Sequence, residues 1–130
     1  MVVGVAAAAA GAWVLSRSAD APPAPTDDIV VQALRKGKPT VVEFGANVCA
    51  TCRDMKPVLA QLARDYGDRI QVIDVDLLKR REYIAGYRIQ LMPTQVFFDA
   101  RGQEISRHMG KIGPEEILGR LGVAEAKAAK

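Results

Sequence analysis

Apolar residues recur along this chain at two spacings, one helical and one strand-like, and the switches between them mark its elements. Residues 29–36 read as a short helix that Asp27 or Asp28 can cap and Gly37 can stop. Residues 39–46, "PTVVEFGA", are β-branched and nearly all apolar, as expected of a strand covered on both faces. From Cys49 to Tyr66 the apolar positions Met55, Val58, Leu59, Leu62 and Ala63 follow helical spacing. Pro57 falls inside that helix, where it should kink it, and Gly67 ends it. Residues 69–76 form a second strand and 79–85 a short helix closed by Gly86. "TQVFFD" (94–99) and "QEISRHMG" (103–110) are two further strands, joined by a hairpin loop around Gly102. A last helix starts at Gly113–Pro114, carries Glu115 and Glu116 in its first turn and ends near Leu121.

That order predicts an α/β fold, a four-stranded mixed β-sheet with helices on both faces. Strands linked through helices are expected to be parallel, with right-handed crossovers. The closing hairpin adds antiparallel pairing. With 130 residues there is room for one buried core, assigned to residues 27–122, with 123–130 as a flexible tail.

Residues 1–18 have a different character. Val2 to Leu15 is an uncharged, alanine-rich run, shorter than the roughly 20 residues that span a bilayer and of the length of a signal peptide's apolar region. It is expected to be a signal peptide or a short membrane anchor, with residues 19–26 a stiff proline-rich linker. No Lys or Arg precedes the run and Arg17 follows it, which departs from both patterns. The expected location is extracytoplasmic, periplasmic or membrane-anchored; an alanine-rich tail on a cytoplasmic protein is the alternative.

A net charge of +3 with scattered basic residues excludes a nucleic-acid surface. The densest basic run, Lys79 to Glu82, carries its own acid. No long apolar surface helix asks for an oligomer, so a monomer is expected.

The two cysteines of the chain, Cys49 and Cys52, stand two residues apart in "CATC". Such a pair can be a redox couple, half a metal site or a structural clip. A structural zinc needs four ligands, and beyond these cysteines the chain offers one histidine, His108, placed in the last strand as a surface residue. Closing so small a loop constrains little of the unfolded chain. Redox chemistry remains. Cys49 falls where a strand gives way to a helix, and unpaired N–H groups at a helix start favour a thiolate. Cys52, one turn further in, is the more covered and can reach the Cys49 sulfur. No metal and no cofactor beyond the cysteines is expected.

From about residue 30 to 121 the sequence resembles the thioredoxin family. The matching features are "VVEF" before the motif, Cys49-Ala50-Thr51-Cys52, Pro57, "VIDVD", Met92-Pro93-Thr94, Gly102, and Gly110 before the final helix. A Cys-x-x-Cys followed about forty residues later by a Pro-Thr that opens a strand is a strong combination. The resemblance implies the thioredoxin fold, with Cys49 as nucleophile, Cys52 as resolving cysteine and Pro93 as the family's cis-proline. It makes Val48, Ala50, Thr51, Met92, Thr94 and Gly110 the substrate-binding surface, where substrate chains pair as an added strand. Glu43 replaces the family's usual buried aspartate as the group that exchanges a proton with the resolving thiol, and burial should raise its proton affinity.

Departures limit the likeness. Val48 stands where cytosolic thioredoxins have tryptophan, and Ala50-Thr51 replaces Gly-Pro. The lysine that often pairs with the buried acid has no counterpart, the matching position being placed near the apolar Val72. The expected activity is reduction of disulfides in exported proteins, with disulfide-containing or thiol proteins as partners and an unidentified electron donor. An oxidase or isomerase of the same fold, or a binding module whose cysteines do not turn over, are the alternatives.

Overall fold

In a computed structural model, residues 27–123 are described. The signal or anchor segment, the linker and the tail beyond residue 123 lie outside the described residues. Val123 itself packs against the core.

Eight elements follow one another: α1 (Ile29–Leu34), β1 (Thr40–Gly45), α2 (Ala50–Tyr66), β2 (Gln71–Asp76), α3 (Glu82–Gly86), β3 (Thr94–Phe98), β4 (Glu104–Met109) and α4 (Pro114–Arg120). Asp28, rather than Asp27, starts α1: its Oδ1 accepts the N–H groups of Val30 and Val31 at 2.9 and 3.1 Å. The hydroxyls of Tyr83 and Tyr87 donate to the same carboxylate, tying α1 to α3. α2 runs through Pro57, and α3 is shorter than expected, beginning at Glu82 instead of residue 79.

The strands lie in the order β2-β1-β3-β4. β1 and β2 are parallel, whereas β3 runs antiparallel to both β1 and β4. This corrects the expectation that every helix-linked pair would be parallel, because the helix between β2 and β3 does not run back along the sheet. α2 has 17 residues, about 26 Å, enough to return the chain along strands of about 20 Å. α3 has 5 residues, about 7 Å, and cannot. The chain therefore re-enters the sheet at the end where β2 left it and runs back. Pro93 consequently lies at the same end of the sheet as Cys49.

One face carries Val41, Phe97 and the α2 residues Met55, Leu59 and Leu62, closed by Ile117 and Leu118 of α4. The other carries Val42, Phe44, Val75, Val96 and Phe98 under Val30 of α1 and Tyr83 of α3. β1 is buried along its whole length, as its composition predicts.

Candidate active site

Cys49 is the N-cap of α2, with extended backbone (φ −84°, ψ 119°). Its Sγ accepts the backbone N–H of Cys52 at 3.2 Å, so the sulfur occupies the place a capping oxygen usually takes. The preceding loop is held by the Cys49 N–H on the Ala46 carbonyl (3.0 Å) and by the Arg53 guanidinium on the Asn47 carbonyl (2.9 Å). Both cysteines are free thiols; Cys49 is half-buried and Cys52 is 3% exposed. An incoming group meets Cys49 first. Around it Val48, at 73% exposure, and Ala50 face solvent, while Thr51 is half-buried.

Cys52 packs against Gly45, the last residue of β1. A Cβ there would stand 2.9 Å from the Cys52 sulfur, so the absence of a side chain makes the space that the thiol fills. Burial pushes the Cys52 thiol up, the Cys49 thiol reinforces this, the Ala46 backbone opposes it, and the charge of Glu43 adds to it.

Glu43 lies two residues before Gly45, on the same face of β1, and is 1% exposed. Gln95 of β3 donates from Nε2 to Glu43 Oε2 at 2.9 Å. Burial raises the Glu43 carboxyl from 4.5 to about 7, against the Gln95 hydrogen bond; Asp74 pushes further up and Lys56 pulls down.

The neighbourhood of Glu43 differs from expectation. Its partner on β2 is Asp74, whereas Val72 pairs with Val41. A cation is present after all, but α2 supplies it: Lys56 Nζ lies 2.6 Å from Asp74 Oδ2. Register places Asp74, Glu43, Gln95 and His108 in one polar row crossing all four strands on the α2–α4 face. His108 donates from Nε2 to the Lys111 carbonyl (3.0 Å) at the outer edge of that row.

The Met92–Pro93 bond is cis, and Pro93 is buried. Thr94 donates its hydroxyl to the Leu91 carbonyl at 2.6 Å. Gly110, at φ +94°, donates its N–H to the Pro93 carbonyl at 2.8 Å, which brings the end of β4 against this loop. Met92, with Leu91, Ile84, Ile89, Leu77 and Cys49, lines an apolar pocket of about 410 Å³. The fold thus gathers Val48, Cys49, Ala50, Thr51, Met92, Pro93, Thr94 and Gly110 at one end of the sheet, with Cys52 and Glu43 behind them.

Sequence reasoning missed Gly45, Lys56 and Gln95. Gln95 carried a legible signal, a polar residue inside the apolar run "TQVFF", the same interruption that drew attention to Glu43 in "VVEF". Lys56 lies four residues beyond Cys52 and so on its side of the helix. Nothing in a lone glycine announces a sulfur above it.

A buried thiol and an accessible one thus stand at the start of a helix, at the end of the sheet that carries the cis-proline, on a thioredoxin fold. The family model described as Thioredoxin matches residues 26–121, and the chain belongs to the thioredoxin family. It is 36% identical over 81 residues to the thiol:disulfide interchange protein TxlA homolog of Synechocystis, covering 61% of this chain and 45% of that protein. It is 32% identical over 89 residues to the chloroplastic thioredoxin-like protein HCF164 of rice, covering 67% of this chain and 34% of that protein. The chain thus spans less than half the length of either relative. Among solved structures, Fasciola hepatica thioredoxin superposes with a TM-score of 0.61 at 26% identity, over 72% of this chain and 88% of that one.

Proposed function

We propose that the protein is a thiol–disulfide oxidoreductase that reduces disulfides of exported proteins through the Cys49–Cys52 dithiol. The observation that carries this reading is the division of labour between the two sulfurs, one accessible at a helix cap and one buried above a carboxyl with raised proton affinity. The Cys49 thiolate attacks a substrate disulfide, forming a mixed disulfide and releasing one substrate thiolate, which takes a proton. Glu43 accepts the Cys52 proton; the Cys52 thiolate then attacks Cys49, the Cys49–substrate bond breaks, and the second substrate thiolate leaves. The substrate gains two electrons and becomes two thiols, while the dithiol becomes a disulfide. An external thiol donor must restore the dithiol.

The groove beside Met92 and Pro93 suits an extended apolar segment of the substrate. The apolar run at Val2 to Leu15 supports an extracytoplasmic location, as a cleaved or membrane-anchored protein. Among the described residues no helix is long and apolar enough to cross a membrane. The reductive direction is favoured because the motif lacks a histidine between its cysteines.

Titration in defined thiol–disulfide buffers tests the direction. A potential near or below about −250 mV supports a reductase, and one near about −120 to −180 mV replaces it with an oxidase or isomerase. Cys52→Ser should trap substrates covalently on Cys49. If neither Cys52→Ser nor Cys49→Ser changes partner binding and no covalent adduct forms, the fold serves as a binding module.

A further inference from the structure

Gln95 is the second residue of β3, a central strand, and is fully buried where an apolar side chain would be the ordinary choice. Its Nε2 is used by Glu43, but its Oε1 has no partner. Among the described residues it is the one buried side-chain polar atom so left. A buried acceptor without a donor is costly and infrequent in folded proteins. Glutamine has a property that fits. Its amide presents a donor on one side and an acceptor on the other, and a half-turn exchanges them.

We propose that Gln95 is a positioning residue that follows the protonation of Glu43, donating from Nε2 to the carboxylate and, after a half-turn of its amide, accepting at Oε1 from the carboxylic acid. The Glu43 carboxyl is thereby held in one place beneath Cys52 while its proton comes and goes. This role rests on the reading of Glu43 as acceptor of the Cys52 proton. Oε1 is the partner of Glu43 in the half of the cycle when Glu43 is an acid, and Nε2 in the half when it is a carboxylate.

Other charged groups near Glu43 are accounted for. Asp74 faces it from β2 and is paired with Lys56 of α2, near Asp76. Cys52 and Cys49 approach from the start of α2, and His108 closes the row on β4, bonded to the Lys111 carbonyl. Lys111 itself reaches Asp54 of α2 at 3.4 Å. α4 brings Arg120 to the same face, held over the Phe97 ring and paired with Glu116. Gln95 is the group hydrogen-bonded to the Glu43 side chain.

The test is the pH dependence of mixed-disulfide resolution in the wild type and in Gln95→Met, which keeps the length of the side chain and removes both hydrogen bonds. In the wild type the rate should inflect near 7, where Glu43 titrates. The bond to the charged carboxylate is the stronger of the two that Met abolishes, so the balance moves toward the acid. The inflection should rise by about one to two pH units, with resolution at neutral pH falling roughly tenfold and recovering in alkali. In a Glu43→Gln background, Gln95→Met should produce no such shift. An inflection left at the wild-type pH in Gln95→Met overturns the role while leaving the oxidoreductase reading intact. A wild type that forms no mixed disulfide at any pH overturns both. Should Gln95→Met not fold, the side-chain amide resonances of Gln95 in the labelled wild type decide the matter. They should move with the midpoint of the Glu43 carboxyl, and amide resonances that stay fixed while Glu43 titrates refute the proposal.

Discussion

Replacing Glu43 with glutamine should make the protein more stable, and by an amount that depends on pH. In the unfolded chain this carboxyl loses its proton near 4.5; in the folded protein burial holds the proton to about 7. Between these values the native state binds a proton that the unfolded state has released. The slope of unfolding free energy with pH is then negative, so stability falls as pH rises from 4.5 toward 7 and levels off above. At about 1.36 kcal/mol per pH unit, the loss amounts to about 3.4 kcal/mol once the carboxyl is fully ionised. The glutamine of the Glu43→Gln variant cannot ionise and escapes this loss. It can also keep its neighbour bonded, since its carbonyl can accept from Gln95 Nε2. Urea unfolding followed by far-UV circular dichroism, with both cysteines kept reduced, measures the difference. The stability of Glu43→Gln relative to wild type should climb by about 3 kcal/mol between about pH 4 and pH 8. A difference that stays flat, or that falls, would refute the claim that Glu43 is buried with a raised proton affinity. The same variant should resolve mixed disulfides more slowly at neutral pH, because the proton acceptor is gone.

Gly45→Ala should destabilise the fold by about 1–3 kcal/mol, since the added carbon meets the Cys52 sulfur at 2.9 Å, and it should slow resolution through displacement of that thiol; urea unfolding and single-turnover kinetics check both. Lys56→Met breaks a pair whose side chains are both more than two-fifths exposed, so stability should change by less than about 1 kcal/mol. It should nevertheless raise the pH at which Glu43 titrates, because Asp74 is left uncompensated beside it, and carboxyl-detected NMR reads that midpoint. Asp28→Ala removes the cap of α1 and the acceptor of two tyrosine hydroxyls together, and should cost about 2–4 kcal/mol in thermal or urea unfolding with little effect on the potential of the dithiol.

Short-range rules carried much of this protein. The β-branched run around Glu43, the helical spacing after Cys49 and the turn glycines delimit elements because each depends on neighbours a few residues away in the chain. The Cys49–Cys52 pair was legible for the same reason, since its chemistry is local to one helical turn. Glu43 announced itself by interrupting an apolar strand, and burial then raised its proton affinity as expected. What the chain alone left undecided depends on distance across the sheet. The direction of β3 turned on whether the helix before it runs back along the sheet, and α3, of only 5 residues and beginning at Glu82, does not. The strand register decided that Glu43 faces Asp74 rather than Val72, and that its cation comes from Lys56 on a helix instead of from the neighbouring strand. The sequence by itself determined which residues can do thiol chemistry and which segments are helix or strand. Only the tertiary structure decided which side chains share a face with Glu43, because register and helix packing join residues that are 18 and 52 positions apart, as in Lys56–Asp74 and Gln95–Glu43.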